Sequence, residues 1–399
     1  MLRRLAALGL LLGVIGFPVA AQGEVEPLQD MLRHVPGTAL SPDGLVTYVD
    51  YRAVERARPG AGTPRSYQAW SAMDGGSFEQ WMAAFRGVIS GSAGFLQPFP
   101  STGGDWPTVV GFDFFDADRE LRFGAPPEDG LIVAGRFEPA AMVAAHETRG
   151  FTSTDEDDWT LICGAAGCED GLAIDLRARE PADPFGGALG RQQPLLVSTD
   201  VLLSSAAIDT VRSMQDAAEG RTGSLAEAPD VRTALASLPA GAGLRQATLV
   251  SPRSIVGDEP VTDEPSWVEA LPPYSVALFA DTATPTEQIA HVVLVFTSSE
   301  DARAAAEIIP ARIDGIESLY GSGPLRGQLE ERGLTAVDVL VSEPEDGSGA
   351  AVDVALHAPL AGAEASSTDV GSSSIYRLLM AMLFQRDALW LAPTLAGAD

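Results

Sequence analysis

Apolar residues recur with period two along some stretches of the chain and with helical spacing along others. Leu45–Tyr51 is β-branched and aromatic and predicts a strand. Val109–Phe115 sets Val110, Phe112 and Phe114 on one side and predicts a second. Leu131–Phe137 predicts a third, running into a helix that begins at Pro139 and stops at Gly150. Tyr274–Asp281 and Ile289–Thr297 repeat the strand pattern. Ser298 then caps a helix whose apolar positions include Ala302, Ala305, Ile309 and Ile313, with a kink expected at Pro310. Val337–Ser342 and Val352–His357 predict a closing hairpin.

Helices are expected elsewhere at Leu28–His34, Val201–Glu219 and Pro229–Leu238. Ser77–Gln80 reads as a capping box, with Phe78, Trp81, Met82, Phe85 and Ile89 on the following helical face. The order strand, strand, helix, strand, strand thus occurs twice, near 109–176 and near 274–357. The expected class is α+β: two related antiparallel-sheet units with helices packed on one face, plus a C-terminal amphipathic helix. The units span residues 22–240 and 241–360, and a small-residue linker covers 361–374. The final helix, 375–391, carries Leu378, Leu379, Met382, Leu383 and Trp390. It is too short and too interrupted by Gln385-Arg386-Asp387 to span a bilayer, so it packs back on the domain or docks a partner; its few basic residues disfavour a membrane-surface role.

Residues 1–21 change the setting of this fold. Arg3 and Arg4, the apolar run Leu5–Phe17 and the small residues Val19-Ala20-Ala21 are the three parts of a cleavable signal peptide. A periplasmic or secreted protein is expected, without a transmembrane segment in the mature chain.

Charge narrows the partners. The chain has 55 acidic against 26 basic residues, a formal charge of −29, and every basic residue is arginine. Such a chain repels nucleic acid and anionic lipid. The absence of lysine removes the phosphate-loop, Schiff-base and Ser-x-x-Lys chemistries. No Gly-x-Gly-x-x-Gly follows a strand signal, so a dinucleotide fold has no support.

Cys163 and Cys168 are the only cysteines; they flank Gly164-Ala165-Ala166-Gly167 between the strand signals Trp159–Ile162 and Leu172–Leu176. In an oxidising compartment this pair predicts a disulfide stapling a hairpin. Ser90-Gly91-Ser92-Ala93-Gly94 nearly matches a nucleophile elbow and makes Ser92 the serine-hydrolase candidate, although it follows a helix rather than a strand. Its base would be His146, His291 or His357. His146-Glu147 begins like a zinc motif, but Gly150 stands where the second histidine belongs, and His146 reads as a packed or rim residue. Asp155, Glu156, Asp157 and Asp158 form the densest acid run, with Asp113, Asp116 and Asp118 a second. Acid runs in loops are ordinarily solvated turns; Asp155, Asp157 and Asp158 are also calcium candidates, since hard cations take clustered carboxylates. These features together predict a non-catalytic exported protein that binds a protein or small-molecule partner. A serine hydrolase using Ser92 and a calcium-stabilised surface protein are the alternatives.

Overall fold

The computed structural model describes residues 25–40, 44–57, 63–86, 88, 98–126, 128–241, 243–256, 271–284, 286–318, 323–344, 349–360 and 374–393. Residues 1–21, Ile89, Ser92 and 361–373 therefore lie outside the described residues.

The strands of residues 45–205 are β1 Leu45–Asp50, β2 Ala117–Phe123, β3 Gly130–Gly135, β4 Thr152–Glu156, β5 Trp159–Cys163, β6 Leu195–Val197 and β7 Val201–Ser205. Those that follow are β8 Gly243–Val250, β9 Val276–Ala283, β10 Glu287–Phe296, β11 Glu317–Ser318, β12 Gly323–Pro324, β13 Ala336–Ser342 and β14 Ala350–Pro359. β11 and β12 pair only with each other. The remaining twelve form one sheet in the order β13-β14-β10-β9-β8-β1-β2-β3-β7-β6-β5-β4. Every ladder in it is antiparallel.

The topology does repeat, but over residues 45–205 and 243–359, and without strands at Val109–Phe115 or Leu172–Leu176. In each half three strands run as a meander, a helix follows, and the chain returns so that its last strand lies beside the third. The first half returns through β4–β7 and the second through β13–β14. The β1–β8 ladder, Leu45 opposite Val250 through Val49 opposite Gln246, joins the halves.

The α+β class and the antiparallel pairing agree with the sequence. The helices, however, cover both faces, where the sequence placed them on one. Strand alternation sends side chains to opposite faces, and both sides of this sheet are apolar. One face carries Leu121, Ile132, Leu249, Leu278 and Val293 beneath helices Glu26–Leu32, Ile208–Ala218 and Pro229–Ala236. The other face is covered over the second half by helices Ser299–Gly315 and Ser374–Phe384. Over the first half an aromatic layer drawn from Trp70, Trp81, Phe85, Phe99, Trp106 and Phe114 covers it.

Four local expectations are corrected. Val109–Phe115 is not a strand: it holds the end of helix Trp106–Val109 and the start of a 3-10 turn, Phe114–Asp116. Asp113 accepts from the Phe115 backbone at 3.2 Å, and the Asp113 backbone donates to Asp116 at 2.9 Å. Such short side chain–backbone bonds compete with a ladder, and Phe112, Phe114 and Phe115 are all buried in the aromatic layer. The neighbouring strand is the charged stretch β2. Its Glu120 is fully buried because Tyr51 and Arg122 both donate to it. Val201–Glu219 is β7 followed by helix Ile208–Ala218, since a short buried apolar run looks alike in either state. The helix at 75–86 begins one turn earlier than Ser77: Asp74 accepts from the Gly76 and Ser77 backbones at 3.1 and 3.0 Å. Leu172–Leu176 is not a strand either, and its geometry belongs to the site below.

The C-terminal helix is a core element rather than a docking arm. Ile375, Tyr376, Leu378, Leu379, Met380, Met382 and Leu383 are all buried. The Arg312 guanidinium donates to the Trp390 and Ala392 carbonyls at 3.3 and 3.0 Å, and Tyr274 donates to Leu391 at 2.9 Å. No helix among the described residues is long and apolar enough to cross a membrane.

Candidate binding surfaces

Four exposed large apolar side chains fall in one excursion of the chain, residues 164–194 between β5 and β6. They are Leu172, Ile174, Leu176 and Leu189, 42–62 % exposed. A connection this long without a strand or an α-helix of its own is unusual inside a compact fold and commonly functional. Its base is anchored covalently and by packing. Cys163, the last residue of β5, is bonded to Cys168, which opens a 3-10 turn ending at Leu172. Phe185 and Ala182 are buried in the aromatic layer. The buried Asp183 carboxylate takes a 2.6 Å ion pair from Arg149 and a 2.8 Å bond from the Phe185 backbone.

The two arms of this lobe lie against each other. The Glu180 backbone donates to Gly187 at 2.9 Å, and the Arg179 guanidinium donates to the Ala188 carbonyl at 2.7 Å. Gly190 has φ 66°, and a β-carbon there would come within 1.8 Å of the Asp175 carbonyl oxygen. Only glycine permits that approach. The approach brings the Leu189–Gly190 end of one arm to Asp175, within the Ile174–Leu176 stretch of the other. Leu172, Ile174 and Leu176 keep the alternation that suggested a strand, but no strand pairs with them and the chain turns at Leu176.

Of the catalytic and metal candidates, Ser92 lies outside the described residues. His146 is buried; its Nδ1–H donates to the Met142 carbonyl at 2.8 Å and its ring meets Phe151 edge-on at 5.1 Å. Burial pushes its imidazole below the ordinary value, against the opposing pull of the Met142 bond and Asp183. It is a core histidine. Asp155 is exposed at the end of β4 and accepts from Thr160 at 3.2 Å. Asp157 and Asp158 make the exposed turn into β5, with Asp157 at φ 51°. Glu156, between them, is paired with Arg212. Among the described residues no three His, Cys, Asp or Glu side chains gather as a metal group. In the second acid run, Asp113 and Asp116 cap a turn and Asp118 pairs with Arg52 at 2.7 Å.

One polar constellation escaped sequence reasoning. His291 Nδ1 lies 3.0 Å from Asp353, and His291 Nε2 lies 3.1 Å from Thr282 Oγ1. The carboxylate–imidazole–hydroxyl order is that of a hydrolase relay. All three residues are 1–3 % exposed, on the sheet face beneath helix Pro229–Ala236. The packing admits no substrate to Thr282, and the set instead ties β9, β10 and β14 together. A signal existed: a lone Asp and a lone His inside apolar strands each require a buried partner.

A polar cleft of about 370 Å³ opens between helices Glu26–Leu32, Ile208–Ala218 and Pro229–Ala236. Its Arg33 is paired with Asp30 at 3.0 Å, and its Ser224 and Glu227 satisfy each other in a capping box.

No known family model matches the sequence. No curated protein matches it either. Solved structures that align with it include two crystal forms of TP0453. Form I covers 89% of this chain and 98% of its own at 8% identity and a TM-score of 0.35. Form III covers 81% of this chain and 94% of its own at 8% identity and a TM-score of 0.33.

Proposed function

We propose that this protein is an exported, non-catalytic binding protein of the periplasm or cell exterior, and that it docks a partner protein through the lobe at residues 172–189. The observation that carries this reading is the lobe itself: anchored at its base, apolar at its tip. Leu172, Ile174, Leu176 and Leu189 stand in water while Ala182 and Phe185 of the same excursion are buried. Apolar groups held out on a rigid base mark an interaction surface rather than a fold in need of more core. Within the lobe Arg177 and Arg179 stand with Asp175 and Glu180, while Asp183 is paired with Arg149. A partner with an apolar patch suits a tip of such balanced charge. The pattern of residues 1–21 supports export.

The reading is checked in the native host with a photo-crosslinking residue placed at Ile174. One discrete adduct is expected, and it should disappear when Leu176→Asp and Leu189→Asp are added. The cross-linked protein, identified and purified, should then bind wild type about tenfold or more tightly than the double variant, the scale on which interface anchors act. Equal affinity for both, or no adduct at Ile174, overturns the lobe as the docking surface.

A further inference from the structure

The lobe lies at one end of the sheet, and the other end holds a surface of different chemistry. Among the described residues β13 closes the sheet there, with β14 on one side and no strand on the other. Its pairing runs without a bulge from Ala336 opposite His357 to Ser342 opposite Ala351. An edge strand offers unpaired N–H and C=O groups, and proteins ordinarily blunt such edges with lysine, proline, inward charges, bulges or short length. Ala336-Val337-Asp338-Val339-Leu340-Val341-Ser342 has no proline, no basic residue and no bulge. Leu340 is 61% exposed and Val341 37%.

The edge is also preformed. Val337 and Val339 pack against the core beneath helix Ser299–Gly315. Asp338 reaches back to His357 Nε2 at 3.2 Å, and His357 Nδ1 meets Glu287 of β10 at 3.1 Å. Ser342 Oγ lies 2.7 Å from Ser237 Oγ, at the end of helix Pro229–Ala236. A partner strand would meet a template whose ordering cost is already met by folding.

We propose that β13 takes up an extended, β-branched, positively charged segment of a partner protein, which adds to the sheet as a further antiparallel strand. Main-chain hydrogen bonds would supply affinity, and alternate side chains would supply selectivity. The sign of the occupant follows from the charges. Asp338, 61% exposed at its side chain, lies within the strand, and Glu343, paired with Arg303, follows it. A formal charge of −29 repels a second copy of this chain and attracts a cationic segment. This surface is separate from the lobe, so either reading stands or falls alone.

The test uses the mature protein and three labelled ten-residue peptides: alternating valine and arginine, alternating valine and glutamate, and the first with proline at its centre. Saturable binding of the valine–arginine peptide is expected, with weak binding of the other two. Salt should weaken it, and the β13 amides should become protected from hydrogen exchange. Leu340→Lys, at an exposed position, should weaken binding about tenfold, and Asp338→Asn should reduce the salt dependence. Leu176→Asp in the lobe should leave it unchanged. Equal binding of the proline peptide would reduce the effect to charge attraction and overturn the proposal. So would equal binding by Leu340→Lys, or a wild-type dimer abolished by Leu340→Lys, which would name a second copy as the occupant.

Discussion

The two ends of the twelve-stranded sheet face the same physical problem and answer it differently. At one end β4 is five residues long, reads Thr-Ser-Thr-Asp-Glu and is almost wholly exposed. Asp157 and Asp158 make the turn that follows, so four consecutive acids close that strand and its turn. At the other end β13 is seven residues long, with a single acid among its valines and leucine. Charge on a strand edge raises the cost of pairing with another strand, whereas an apolar regular edge invites it. A charged run such as 155–158, a calcium candidate in the sequence, can also act as a guard on a strand edge. At β13 the acids are sparser, Asp338 within the strand and Glu343 after it.

Each edge strand is also backed by a tie one strand further in. β5, beside β4, ends at Cys163, bonded to Cys168. β14, beside β13, carries Asp353, tied to His291 of β10 and through it to Thr282 of β9. The first tie is local and covalent. The second spans three strands and depends on burial.

The largest expected effect comes from the buried tie. Asp353→Ala leaves the His291 imidazole without its carboxylate and should cost about 3 kcal/mol in urea unfolding, as for other broken buried pairs. Faster hydrogen exchange along β13 should accompany the loss. Replacing both partners, His291→Leu with Asp353→Leu, should recover much of the stability, because it removes the need as well as the bond. If Asp353→Ala is neutral, the tie does not hold that end of the sheet.

The covalent tie should matter less. Cys163→Ser with Cys168→Ser should lower stability by about 2 kcal/mol, since a short closed loop removes little entropy from the unfolded chain. The same variant should weaken partner docking at the lobe while leaving peptide binding at β13 intact. Loss of both would mean that the two ends are coupled.

The smallest effect on stability is the sharpest probe of the difference between the edges. Asp155→Val with Asp157→Asn and Asp158→Asn should change unfolding free energy by less than about 0.5 kcal/mol, as exposed substitutions usually do. It should nonetheless produce concentration-dependent association in sedimentation, because the guard is gone. A variant that remains monomeric at high concentration would show that the acids do not protect this edge.

Legibility in the sequence followed the range of the forces involved. Helix Ser299–Gly315 was readable because its cap is local: Ser298 accepts from the Asp301 backbone at 3.1 Å, three residues on. The disulfide was readable because five positions separate its cysteines. β2 was not, since Asp118, Arg119, Glu120 and Arg122 look like a surface loop until Arg52, Asp50 and Tyr51 arrive to pair with them. The Thr282–His291–Asp353 set was invisible for the same reason, as Asp353 stands 62 positions from its histidine.

The sequence alone determined the α+β class, the cysteine pair and the net negative charge. Each depends on periodicity, composition or neighbours within a few residues. The tertiary structure decided that the strands form one sheet, that apolar helices cover both its faces, and that Leu172, Ile174 and Leu176 remain unpaired. It also decided which strands became edges. An edge is a property of what lies beside a strand, and no stretch of sequence carries its neighbour within itself.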